Sequence, residues 1–166
     1  MRETKLFPVN GAAFVLAALL GSVGFASAAD EADQKVEEHG DVMTAQVGTL
    51  PPQELAPGQC GFFLWTNSSD PRLVFVSLAS GNARMVVNGE NLDLSRNSAE
   101  GQEYLGQFEN QNFQNPELNV ALNIVVERRP NIVDGAVIPS ATLRLTESNG
   151  WETVLPVGGL IGCGEA

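Results

Sequence analysis

Three features of this sequence predict an all-β fold, a small antiparallel barrel or sandwich of about seven or eight strands closed by one disulfide. Short apolar runs of period two recur about every ten residues from Cys60 onward, and Asn-Gly and Asp-Gly turns separate them. The only two cysteines, Cys60 and Cys163, bracket the whole region. Helical periodicity is almost absent over this stretch. No unit repeats at a fixed period, which excludes solenoids and propellers.

The first strand is expected over Cys60 to Thr66, rich in aromatics and ended by the turn-forming run Asn67-Ser68-Ser69-Asp70-Pro71. Asn67-Ser68-Ser69 also matches a glycosylation acceptor, but between two strands it reads as a turn. Arg72 to Ala79 follows. Its Leu73, Val74, Phe75 and Val76 are apolar on both alternating sets, the mark of a strand covered on both faces. The next two runs flank Asn88-Gly89, the strongest short hairpin signal. A two-residue turn there sets Val87 opposite Glu90, Met85 opposite Leu92 and Ala83 opposite Leu94. Ala83, Met85, Leu92 and Leu94 then share an apolar inner face, while Arg84 meets Asp93 on the other side. Hydropathy and charge agree on one register.

Ser95 to Pro116 is crowded with amides and aromatics, and reads as a polar edge strand plus loop or as a contact surface. Leu118 to Val126 alternates cleanly: Leu118, Val120, Leu122, Ile124 and Val126 on one face, Asn119, Ala121, Asn123 and Val125 on the other. Arg128-Arg129-Pro130 ends it and Asp134-Gly135 turns the chain. Pro139 is expected to interrupt or edge the next run. Ala141, Leu143 and Leu145 then alternate with Thr142, Arg144 and Thr146 up to Asn149-Gly150. A return strand over Trp151 to Pro156 and a closing run, Val157 to Cys163, complete the domain.

Ahead of this domain lie two segments of different composition. Arg2 and Lys5 precede an apolar or small-residue stretch from Gly11 to Ala28, and Ala26-Ser27-Ala28 supplies the small-x-small pattern of a cleavage site. Residues 1–28 are therefore expected to be a signal peptide and the mature chain periplasmic or secreted. Nothing later is apolar for long enough to span a bilayer as a helix. Residues 29–59 read as an acidic, proline-containing flexible tether. Asp30 to Gln59 carries seven acids against one lysine, and Cys60 to Ala166 twelve acids against six arginines. The whole chain has a formal net charge of −11, which argues against nucleic acid and anionic lipid as partners. In an exported chain, two widely separated cysteines are most simply a structural disulfide.

Catalytic chemistry finds few of its usual residues. His39 is the only histidine and belongs to the tether, so a Ser/Cys-His-acid triad lacks its base within the domain. No lysine follows Lys35, which removes lysine nucleophiles there. Neither a metal-ligand cluster nor a glycine-rich phosphate loop is present, and no cofactor or metal is expected. Glu147 and Glu152 are the one suggestive carboxylate pair, directly opposite if Asn149-Gly150 makes a two-residue turn. A longer loop would separate them, and a carboxylate-dependent glycoside hydrolase is a minor alternative. Candidate binding residues come instead from Gln107, Phe108, Asn110 and Phe113, with Trp151. Amides offer a donor and an acceptor in fixed geometry and aromatic faces a flat apolar contact, which suits sugars or peptides. Phe108 and Phe113 serve equally well as core plugs, and Trp65 and Trp151 carry the same double reading.

The stretch Ala83 to Phe108, a hairpin over a Gly turn, a Leu-ending strand and then Ser98, Gly101 and Tyr104 at Ser-x-x-Gly-x-x-Tyr spacing, resembles the middle of the C-type lysozyme-inhibitor barrels. That resemblance covers about 26 residues. It implies a small exported β-barrel with a disulfide, and a loop carrying Ser98, Gly101 and Tyr104 toward an enzyme's cleft. Glu100 and Glu103 depart from the family's loop. The leading expectation is a non-enzymatic β-domain that binds a protein or carbohydrate in the bacterial cell envelope, with a lysozyme-inhibitor-like protein as the alternative and a carbohydrate-binding module as a further one.

Overall fold

The computed structural model describes residues 45–165. Eight antiparallel strands follow in chain order: β1 Cys60–Thr66, β2 Leu73–Leu78, β3 Asn82–Val87, β4 Glu90–Tyr104, β5 Gln107–Gln114, β6 Leu118–Glu127, β7 Gly135–Glu147 and β8 Glu152–Cys163. Each pairs with the next. β8 then returns to β1 from Cys60↔Cys163 to Thr66↔Val157, so the sheet closes into a barrel without a free edge. Between barrel and sandwich, the barrel forms. Cys60 and Cys163 are bonded, directly opposite each other at the closing seam. Farther along that seam, a Cβ on Gly159 would run into the Phe63 carbonyl, so only glycine lets β8 approach β1 here.

The barrel interior is filled by side chains. Phe62 stacks on Phe75 with ring centroids 5.9 Å apart, and Phe75 meets Phe113 edge-on at 5.3 Å, all three fully buried. Leu64, Met85, Leu122, Leu143 and Leu145 complete the layers. The first hairpin has the register expected from its charges and apolar face: Val87↔Glu90, Met85↔Leu92, Ala83↔Leu94, with Arg84 and Asp93 paired at 2.8 Å. Asn88 and Gly89 both have positive φ, as a two-residue turn of the primed kind requires. β6 buries Leu118, Val120, Leu122 and Ile124 and exposes Asn119, Asn123 and Val125.

Four expectations need correction or completion. The expected signal peptide, residues 1–28, and the first part of the expected tether with His39 lie outside the described residues, but residues 45–59 do not hang free. Leu50 is buried against Leu73 and Val76, with Phe63, Trp65 and Val86 around them, and its N–H donates to the Leu73 carbonyl at 2.7 Å. Val47 bridges to Val87 and Pro57 to Gly164. This strap covers the outer face of β2, which explains why Leu73 to Val76 are apolar on both sides. Acid content concealed it: one or two leucines anchor an otherwise polar segment to an apolar wall. Second, Pro139 lies inside β7 rather than ending it, because the β7–β8 register slips between Ile138 and Ala141 and leaves the proline at a bulge.

Third, the second Asn-Gly turn takes the longer form. Thr146 pairs with Glu152, Glu147 pairs with Leu118, and the Glu147 N–H donates to the Trp151 carbonyl. Glu147 and Glu152 are therefore not opposite each other. Glu152 instead accepts from Arg144 at 2.9 Å. Fourth, Ser95 to Gln114 is a long two-stranded hairpin rather than an edge strand followed by loop. β4 continues through Tyr104 and turns at Leu105-Gly106 into β5, which pairs with β6. Residues 98–101 are thus strand, where the family resemblance implied a projecting loop.

Candidate functional site

The period of two divides the amide-aromatic segment cleanly. Phe113 is fully buried among the core rings, while Asn110, Asn112 and Gln114 point outward and are engaged with neighbouring side chains. Asn97 donates to Gln114 Oε1 at 2.8 Å, Asn112 donates to Ser98 Oγ at 2.9 Å, and Asn123 donates to Asn110 Oδ1. The result is an amide ladder on the outer wall of β4, β5 and β6 that satisfies itself.

Gly101, Tyr104, Gln107 and Phe108 lie on the far part of the β4–β5 hairpin. Gly101 has φ 89° at an irregularity in the β4–β5 register, and the Glu109 side chain lies across it. The Tyr104 hydroxyl donates to the Gly135 carbonyl at 2.9 Å, and the Arg128 guanidinium sits 5.6 Å from its ring centre. Arg96 reaches across the same end of the barrel. It donates to the carbonyls of Gly106 and Ala79, at 2.9 and 3.0 Å, and to Gln111 Oε1 at 2.8 Å, with its guanidinium 5.2 Å from the Phe108 ring centre. Burial pushes the Arg96 pKa below its usual value. Trp151 stands at the opposite end, half exposed on the β7–β8 turn near Glu147. The sequence-selected residues therefore do not converge. They divide among the core, the outer wall and the two barrel ends.

The concave apolar surface is elsewhere, on the outer wall of β1. Phe63 and Trp65 alternate with the core residues Phe62 and Leu64 and so face outward, where their rings stack with centroids 6.1 Å apart and planes at 29°. On one side the strap residues Leu50, Pro52 and Gln53 frame a hollow against them. On the other side an open groove runs over Gly158 and Gly159 between Trp65, Asn67, Pro71 and the half-exposed Leu160. A third hollow, toward the disulfide end, extends from Phe63 to the Arg84–Asp93 pair. The hydrogen bond from Arg84 to Asp93, reinforced by their opposite charges, raises the arginine's pKa. Part of the signal was in the sequence: Phe63 and Trp65 share one alternating set, and Gly158, which pairs with Trp65, places no side chain beside that ring.

Among the described residues, no group of three His, Cys, Asp or Glu side chains is placed to hold a metal ion. At the Trp151 end, Glu90, Glu117 and Glu147 surround a small recess with Asn88, and the Glu147 Oε2 atom is buried without a hydrogen-bond partner. No helix among the described residues is long and apolar enough to cross a membrane. No protein-family model, curated protein or solved structure matches this chain.

Proposed function

We propose that this chain is an exported, non-catalytic binding module of the cell envelope that engages a protein or carbohydrate through the Phe63–Trp65 wall of its barrel. The observation that carries this reading is the pair of stacked, partly buried rings on the outer wall of β1, with a hollow on either side of them. Both rings are only partly buried against the strap, so their exposed parts forgo some of the about 1.5–3 kcal/mol that full burial of each side chain would give. A partner that covers them recovers it. Gln53, Asn67 and the Arg84–Asp93 pair rim the rings with donors and acceptors, the mixed character of contacts to sugar rings or to peptide side chains. The signal-like N-terminus and the Cys60–Cys163 bond support the compartment. The absence of a histidine or lysine from Cys60 onward supports binding over catalysis.

The test is titration of the mature protein with soluble peptidoglycan fragments, alongside pull-down from envelope extract, following tryptophan fluorescence. Binding retained in Trp151→Phe and lost in Trp65→Ala is the expected result. Binding that survives both Phe63→Ala and Trp65→Ala would move the contact surface off this wall.

A further inference from the structure

We infer that the far part of the β4–β5 hairpin, residues 100–109, is a hinged flap that opens as a unit while the rest of the barrel stays closed. The first ground is the pairing. β5 meets β6 only from Gln114↔Asn119 to Asn110↔Asn123, whereas β6 continues along β7 to Glu127↔Val137. Gln107, Phe108 and Glu109 therefore have a strand neighbour on one side only. The β4–β5 register also shifts twice, between Arg96 and Ser98 and between Glu100 and Glu103. Bulges bend a strand and weaken its ladder, so these positions can act as the hinge.

The second ground is what the closed position costs. Gln107 is 1% exposed, and neither its amide nitrogen nor its amide oxygen has a hydrogen-bond partner. A buried amide left without partners favours any arrangement that wets it. At the tip, Leu105 has φ 51°, a left-handed conformation that a leucine enters only under constraint. What holds the tip down is correspondingly specific. The Tyr104 hydroxyl bonds to the Gly135 carbonyl, one Arg96 nitrogen bonds to the Gly106 carbonyl, and Gly106 packs so closely on Ala79 that a Cβ there would collide with it. Opening releases those contacts, hydrates Gln107 and uncovers one side of the Arg96 guanidinium, which keeps its bonds to Ala79 and Gln111. It changes the surface at that end from closed and hydrogen-bonded to open.

Residue-resolved native-state hydrogen exchange on the full mature protein tests this. The amides of Glu103, Gly106 and Phe108 are expected to exchange at least ten-fold faster than those of Phe113, Val120 and Leu143. Tyr104→Phe removes one hydrogen bond and should speed exchange in residues 102–109 alone by about five-fold. Gln107→Met, which removes the unpaired amide at similar volume, should slow it there. Exchange of the tip at the rate of Phe113 and Val120 would show that it opens only with the whole barrel and would overturn the inference. So would an equal effect of Tyr104→Phe on both groups, or faster exchange in Gln107→Met.

Discussion

Breaking the Cys60–Cys163 bond gives the most quantitative test of how this barrel is held together. The two residues are 103 positions apart, and they join the first strand to the last. Cross-linking that span removes loop-closure entropy from the unfolded chain worth about 4.7 kcal/mol at 25 °C. The folded state has little reason to change, because the β1–β8 ladder continues beyond the disulfide to Thr66↔Val157 and its backbone bonds survive reduction. The loss should therefore lie almost wholly in the unfolded state. For about 120 residues unfolding with about 2.1 cal/mol/K each, it corresponds to a fall in Tm of about 19 °C. The assay is urea unfolding of the native protein and of Cys60→Ala/Cys163→Ala, followed by tryptophan fluorescence. The double variant should fold, show a lower midpoint, and show a larger m value, since its unfolded chain is free to expand. A difference in stability below about 1 kcal/mol would refute the entropic reasoning. A variant without a cooperative transition would show that the seam needs the bond to form at all.

Three further outcomes follow from the same geometry. Leu50→Ala deletes the buried anchor of the strap; limited proteolysis should then cut residues 45–59 readily, at a cost of about 2–5 kcal/mol to their docking, while the barrel resists. Gly159→Ala places a Cβ against the Phe63 carbonyl at the barrel seam and should destabilise by about 3 kcal/mol or more in thermal unfolding, whereas Gly162→Ala, with open space at its Cβ, should cost about 1 kcal/mol or less. In a lysozyme assay, micromolar mature protein is expected to give no inhibition: Ser98 lies on a paired strand with its hydroxyl bonded to Asn112, Tyr104 is tied to Gly135, and Glu100 and Glu103 would meet a carboxylate-bearing cleft. Salt-sensitive inhibition lost in Tyr104→Ala would restore the inhibitor reading.

Much of this fold is written locally. The hairpin over Asn88-Gly89 was legible to the residue, because a two-residue turn fixes register and both faces had to agree with it. Leu118 to Val126 was equally plain, since strict alternation admits one orientation against a core. Cys60 and Cys163 located the seam because they bracket the strands. These features depend on neighbours in sequence or on a single covalent bond, so the sequence by itself determined them. The strap, the long β4–β5 hairpin and the Phe63–Trp65 wall depend on what lies across space. Leu50 reads as one apolar residue in a polar segment until β2 supplies a surface for it. Ser95 to Gln114 looks like loop because its inward positions include Arg96, Gln107 and Gln111, polar residues that the barrel end accepts by hydrogen bonding or by burial alone. Trp65 reads as a core filler until the closing of β8 on β1 decides which face of β1, and with it Phe63, lies outside. Closure is a property of all eight strands together, and it alone turned those two rings outward.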